Sequence, residues 1–137
     1  MGRILAIDYG TKRTGIAVTD TLQLIANGLT TVDTKELERF LEKYISTEPV
    51  DVIVVGLPKT LQNEPADIVR YINPFAGRLK HKYPNIKIEM IDERFTSKMA
   101  FQTMIDSGIS RKARQNKALI DQISATIILQ NYLEWRR

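Results

Sequence analysis

The chain has 137 residues, 43% of them hydrophobic and 26% charged, with a net charge of +4. That is the size of one domain with enough apolar surface for a single core, and no apolar run reaches the length of a membrane span. There is no cysteine and only one histidine, His81, which excludes disulfides, zinc–thiolate sites and thiol catalysis and leaves little room for a histidine-based hydrolase. Asp8 follows Met1-Gly2-Arg3-Ile4-Leu5-Ala6-Ile7 too early for a secretory signal, so a single cytoplasmic domain over residues 1–137 is the expectation.

In chain order, Ile4-Leu5-Ala6-Ile7 reads as a buried strand and Gly10-Thr11-Lys12-Arg13-Thr14-Gly15 as a turn. Ile16-Ala17-Val18-Thr19 returns as a second strand, completing a hairpin, and Leu29 to Val32 is a third after the Asn27-Gly28 turn signal. Asp33 and Glu36 resemble a capping arrangement for a helix whose apolar stripe is Leu37, Phe40, Leu41, Tyr44 and Ile45. Pro49 ends it. Val50 to Val55 reads as a doubly buried strand, punctuated by Gly56-Leu57-Pro58.

After a polar loop, Lys59 to Glu64, Pro65 suits the first turn of a helix that buries Ile68, Val69, Ile72, Phe75, Ala76 and Leu79. Pro74 predicts a break or kink near Tyr71. Ile86 to Ile91 alternates as a strand, with Ile86, Ile88 and Met90 or Ile91 inward. Thr96 or Ser97 caps a further helix that Gly108 terminates. The last helix is expected from about Gln115 to Glu134, with Leu119, Ile120, Ile123, Ile127 and Leu133 on its apolar side. The order β-β-β-α-β-α-β-α-α predicts an α/β fold, a mixed sheet with helices on its faces.

Charge is unevenly spread: residues 1–67 carry −3 and residues 68–137 carry +7. Between Asp67 and Glu89 the chain holds Arg70, Arg78, Lys80, Lys82 and Lys87 and no acid; a second basic group is Arg111, Lys112, Arg114 and Lys117. A polyanion such as nucleic acid is the natural partner, and a solvated basic surface is the plainer alternative.

Against this background three acid positions stand out. Asp8 ends the first strand, Asp92 and Glu93 end the strand from Ile86, and Asp121 lies among apolar residues of the last helix. Taken singly, each has an ordinary structural explanation: an Asx turn, a surface ion pair, and a helix residue paired to Lys117 one turn earlier. Together they can converge at one sheet edge. Hard carboxylate oxygens of that kind suit Mg²⁺ or Mn²⁺, and two such ions would flank a scissile phosphate.

The same residues resemble a known family. Ile7-Asp8-Tyr9-Gly10-Thr11-Lys12-Arg13-Thr14-Gly15-Ile16-Ala17, Val54-Val55-Gly56-Leu57-Pro58, Asp92-Glu93-Arg94-Phe95-Thr96-Ser97, and Lys117-Ala118-Leu119-Ile120-Asp121-Gln122-Ile123-Ser124-Ala125 resemble, in order, the four motifs of the YqgF family, also called RuvX. The resemblance implies a ribonuclease H-like fold, with a five-stranded mixed sheet, related to the RuvC junction resolvases. It implies a metal-dependent nuclease acting at the 5′ end of pre-16S rRNA, with cleavage of four-way DNA junctions as the alternative. Carried onto this chain, the catalytic and metal-holding acids are Asp8, Glu93 and Asp121, with Asp92 a possible companion, and the metal is Mg²⁺ or Mn²⁺. Where many members of the wider superfamily place an acid after the fourth strand, this chain has Gly56-Leu57-Pro58.

Lys12, Arg13, Arg111, Lys112, Arg114 and Lys117 are the expected phosphate contacts, forming a track to the acids; residues 109–117 have no apolar side to dock and are expected to close on substrate. Two other classes remain open. One is an RNA-binding assembly factor without catalysis. The other is an actin-like ATP-binding domain, which shares the Asp-x-Gly-Thr turn but needs a second domain to close over nucleotide.

Overall fold

Arg3–Asp8 forms β1, Arg13–Thr19 β2 and Ala26–Asp33 β3. A short 3₁₀ turn at Thr34–Glu36 leads into α1, Leu37–Thr47, and β4 follows at Val50–Pro58. Then come α2, Val69–Lys82; β5, Lys87–Glu93; and α3, Lys117–Trp135. The computed structural model describes residues 2–58, 67–93 and 116–136, without the side chains of Pro58, Asp92, Glu93 and Lys117. The helix expected between Thr96 and Gly108, and the first-turn Pro65, lie outside the described residues.

The five strands form one mixed sheet in the order β3-β2-β1-β4-β5. β1 is antiparallel to β2 and β2 to β3; β1, β4 and β5 are mutually parallel. Strand alternation sorts side chains onto two faces. Leu5, Ile7, Ile16, Val18, Ile53 and Val55 face α1 and α2, meeting Leu37, Leu41, Ile72, Phe75 and Leu79. Ile4, Ala6, Ala17 and Val54 face the other way and pack on α3 through Ala125, Ile128, Leu129, Tyr132 and Leu133. The expected five-stranded mixed sheet flanked by helices is the one found.

Four local expectations are corrected. Asn27 and Gly28 belong to β3 itself, paired with Val18 and Ala17, and the strand is bulged at Leu29, where the pairing shifts between Ile16 and Ala17. Neither Asp33 nor Glu36 makes a side-chain capping bond. α2 runs through Pro74 without the break expected there; at Tyr71 the backbone N–H donates to Ile68 O, three residues back.

The fourth correction concerns α3. It starts at Lys117, capped by the Asn116 Oδ1, which accepts from Ala118 N at 3.0 Å and Leu119 N at 3.2 Å. Its sheet-packing residues are Ala125, Ile128, Leu129, Tyr132 and Leu133; of the expected stripe Leu133 is among them, Ile127 is also buried, and Leu119, Ile120 and Ile123 are only partly so. The helix carries isoleucines or leucines on every side, so its period does not single out the buried one.

Candidate functional site

Asp8 closes β1 and pairs in register with Gly15 of β2, which pairs in turn with Thr31 of β3. Residues directly opposite in a sheet share a face, so this row points toward α3. Helix and strand meet here without side chains between them. A Cβ on Gly15 would collide with the carbonyl oxygen of Asp121, so glycine alone admits the helix at this depth. Thr31 Oγ1 donates to Ala118 O at 2.6 Å, and the Gln122 side chain lies over Gly28. Asp8 and Asp121, 113 positions apart in the chain, are thereby brought to neighbouring places on one face.

Arg13 stands two residues before Gly15 on β2, hence on the same face. Its Nε donates to Asp121 Oδ2 at 2.9 Å, and the pair is half-buried, with side-chain exposures of 37% and 24%. The ion-pair partner of Asp121 among the described groups is therefore Arg13. The expected i−4 partner, Lys117, has its side chain outside the described residues.

The third acid is placed by the sheet register. In β5, Ile88 and Met90 pack toward α1 and α2, whereas Ile91 packs with the α3 cluster. Pairing with β4 is regular through Pro58 and Glu93. Position 93 therefore falls on the α3 face at the strand end, and position 92 on the opposite face. Asp8, Pro58 and Glu93 end the three parallel strands on the same side of the sheet, the side where open α/β sheets hold ligands. Among the described residues, no group of three or more acids or histidines is close enough to hold a metal ion. The donor chemistry of the two acids that are described, carboxylate oxygens on one face, fits a hard divalent cation.

The turn between β1 and β2 is fastened to the 3₁₀ turn that precedes α1. Thr34 N donates to Lys12 O at 2.9 Å, and Thr34 Oγ1 bonds both Gly10 O and Thr14 Oγ1. Lys12 is exposed in this turn. With Thr11, Asp33 and Lys35 it lines a shallow cavity of about 270 Å³. Lys35 carries no motif signal; only the fold shows that it stands beside Lys12. Tyr9, next to Asp8, points away from the acids: its ring lies 5.2 Å from that of Phe75, and burial pushes its hydroxyl pKa up. Arg111, Lys112 and Arg114 lie outside the described residues.

No helix among the described residues is long and apolar enough to cross a membrane. The family model for RuvX, described as a Holliday junction resolvase, matches residues 2–135. A protein of Bacteroides thetaiotaomicron named "Putative pre-16S rRNA nuclease" is 58% identical over 137 residues, covering 100% of this chain and 99% of its own. A protein of the same name from Phocaeicola vulgatus is also 58% identical, with the same coverage. Among solved structures, RuvC of T. thermophilus in complex with a Holliday junction substrate superposes with a TM-score of 0.57 at 15% identity, covering 99% of this chain and 97% of that one. The shared fold is thus the RuvC-like, ribonuclease H-type sheet. On the motifs, the sheet order and the match across nearly its whole length, this chain belongs to the RuvX family.

Proposed function

We propose that this chain is a metal-dependent nuclease that hydrolyses phosphodiester bonds of RNA at the carboxyl ends of β1, β4 and β5, and that its substrate is the 5′ region of pre-16S rRNA. The observation that carries the reading is the row Asp8–Gly15 with Asp121 seated on Gly15. It seats the backbone of Asp121 on the strand row of Asp8, from a distant part of the chain, and so supports a shared site where a sheet of this kind holds ligands. The names of the relatives 58% identical to it supply the RNA.

Asp8, Asp121 and Glu93 are the residues that would hold Mg²⁺ or Mn²⁺, with Asp92 set apart by the strand alternation. Bound there, such ions supply an activated water and stabilise the leaving oxygen of a phosphodiester. The protein's own contribution is placement. β1 fixes Asp8 through the sheet ladder; Gly15 fixes the backbone of Asp121. Lys12, in its fastened turn, offers an exposed ammonium to a phosphate beside the acids, and Lys35 extends the same basic rim. The remaining members of the phosphate track, Arg111, Lys112, Arg114 and Lys117, belong to the same proposal. Acids alone repel a polyanion, so flanking cations are needed to reverse the local potential.

A second reading, cleavage of four-way DNA junctions, follows the family model's description. Matched pre-16S RNA and four-way DNA junctions, incubated with the protein and Mg²⁺ or Mn²⁺, separate the two. RNA cleavage with intact junctions is expected. Junction cleavage with intact RNA exchanges the substrate, and cleavage of neither removes the nuclease reading.

A further inference from the structure

Arg13 belongs to a run that reads as a phosphate-gripping turn, yet its guanidinium is engaged elsewhere. Its Nε donates to Asp121 Oδ2 at 2.9 Å, across 108 positions of sequence. Two features make this more than a surface ion pair, which would be worth little. First, both partners are half-buried, at 37% and 24% exposure. Second, the pair is built into the helix–sheet contact. Gly15 receives the backbone of Asp121, and Arg13, two residues away on the same face of β2, reaches its carboxylate. One strand thus holds Asp121 at both its main chain and its side chain.

We propose that Arg13 is a positioning residue for Asp121 and not a phosphate contact. By occupying Oδ2 it fixes the carboxylate plane and leaves Oδ1 for a divalent cation. It also supplies a positive charge beside Asp121 before any cation arrives. This rests on the proposed role of Asp121. It assigns Arg13 differently from Lys12, its neighbour, which is exposed in the turn.

The consequence is specific. Without Arg13, the Asp121 carboxylate loses its neutralising charge, and a divalent cation becomes its substitute. In R13A the metal-free protein should melt lower than wild type, and saturating Mn²⁺ should raise its melting temperature by more than it raises that of wild type. In cleavage, kcat should fall about 10- to 100-fold, the range for losing an outer partner of a metal-holding residue. KM for RNA and its salt dependence should not change. R13K, which keeps the charge but not the planar donor, should recover metal-free stability and only part of kcat.

The test is to measure melting with and without Mn²⁺, Mn²⁺ affinity by calorimetry, and kcat and KM at several salt concentrations, for wild type, R13A and R13K. If R13A does not fold, R13K carries the comparison: near-normal melting with reduced kcat supports positioning, and unchanged kcat overturns it. A raised KM with a salt slope reduced by about one and kcat intact would make Arg13 a phosphate contact and overturn the proposal. An Mn²⁺-induced shift no larger in R13A than in wild type would overturn it too. If wild type cleaves nothing, the nuclease reading fails, while the melting and calorimetric arms still decide whether Arg13 neutralises Asp121.

Discussion

The backbone of Asp121 rests directly on Gly15, the residue that pairs with Asp8. A glycine inside a strand is by itself unfavourable by roughly 0.5–1 kcal/mol relative to alanine. At most exposed strand positions G→A is therefore neutral or helpful. Here a methyl group would meet the carbonyl of Asp121, which cannot rotate aside as a side chain can. We expect G15A to lose about 1–3 kcal/mol, the usual cost of overpacking, and to displace Asp121 relative to Asp8. Denaturant unfolding checks the first effect and divalent-cation calorimetry the second. A G15A protein as stable as wild type would mean that α3 does not seat at this depth.

The helix start makes a smaller contribution. Asn116 Oδ1 accepts from two backbone N–H groups that otherwise lack partners at the head of α3. N116A should cost about 1 kcal/mol, while N116D, an equally good cap, should not. Thermal unfolding of the two variants tests this. Equal loss in both would place the effect elsewhere than in the cap.

Acid sensitivity should centre on the β2–β3 tip. The backbone N–H of Ile25, with those of Leu24 and Leu22, holds the Asp20 carboxyl below the usual carboxylate range, outweighing the opposing effect of desolvation. A depressed folded-state pKa adds stability that is present above the unfolded value, about 3.9, and is lost as pH falls through the folded one. Wild type should therefore exceed D20N in stability at neutral pH, with the gap closing as pH drops below about 4. Unfolding curves measured from pH 3 to pH 7 give the answer; a gap that does not vary with pH would assign no titration effect to Asp20.

Alternation and strand-end position make Asp8 legible in the sequence, and the same pattern gives the five strands. What local patterns hide is the pairing across the fold. Lys117 is the visible neighbour of Asp121 because helical spacing is local, whereas Arg13 lies on a strand at the other end of the chain. Gly15 reads as a turn residue; it is a packing contact inside β2. Asn27-Gly28 has the chemistry of a turn, but pairing with Val18 and Ala17 and the Gln122 side chain over Gly28 keep it in β3. The choice between Asp92 and Glu93 is open in sequence because adjacent acids at a strand end look alike; the register separates their faces.

The central claim is that the face shared by Asp8 and Asp121 is where hydrolysis occurs. D8N keeps shape and volume at the end of β1 while removing a charged oxygen donor. Metal-ion stabilisation is worth several kcal/mol, and every 1.36 kcal/mol is tenfold in rate. The decisive measurement is Mn²⁺-dependent cleavage of pre-16S RNA by wild type and D8N, purified identically and shown to unfold alike. The account predicts a fall of at least about 100-fold in D8N, at every Mn²⁺ concentration. Cleavage by D8N at the wild-type rate would contradict it.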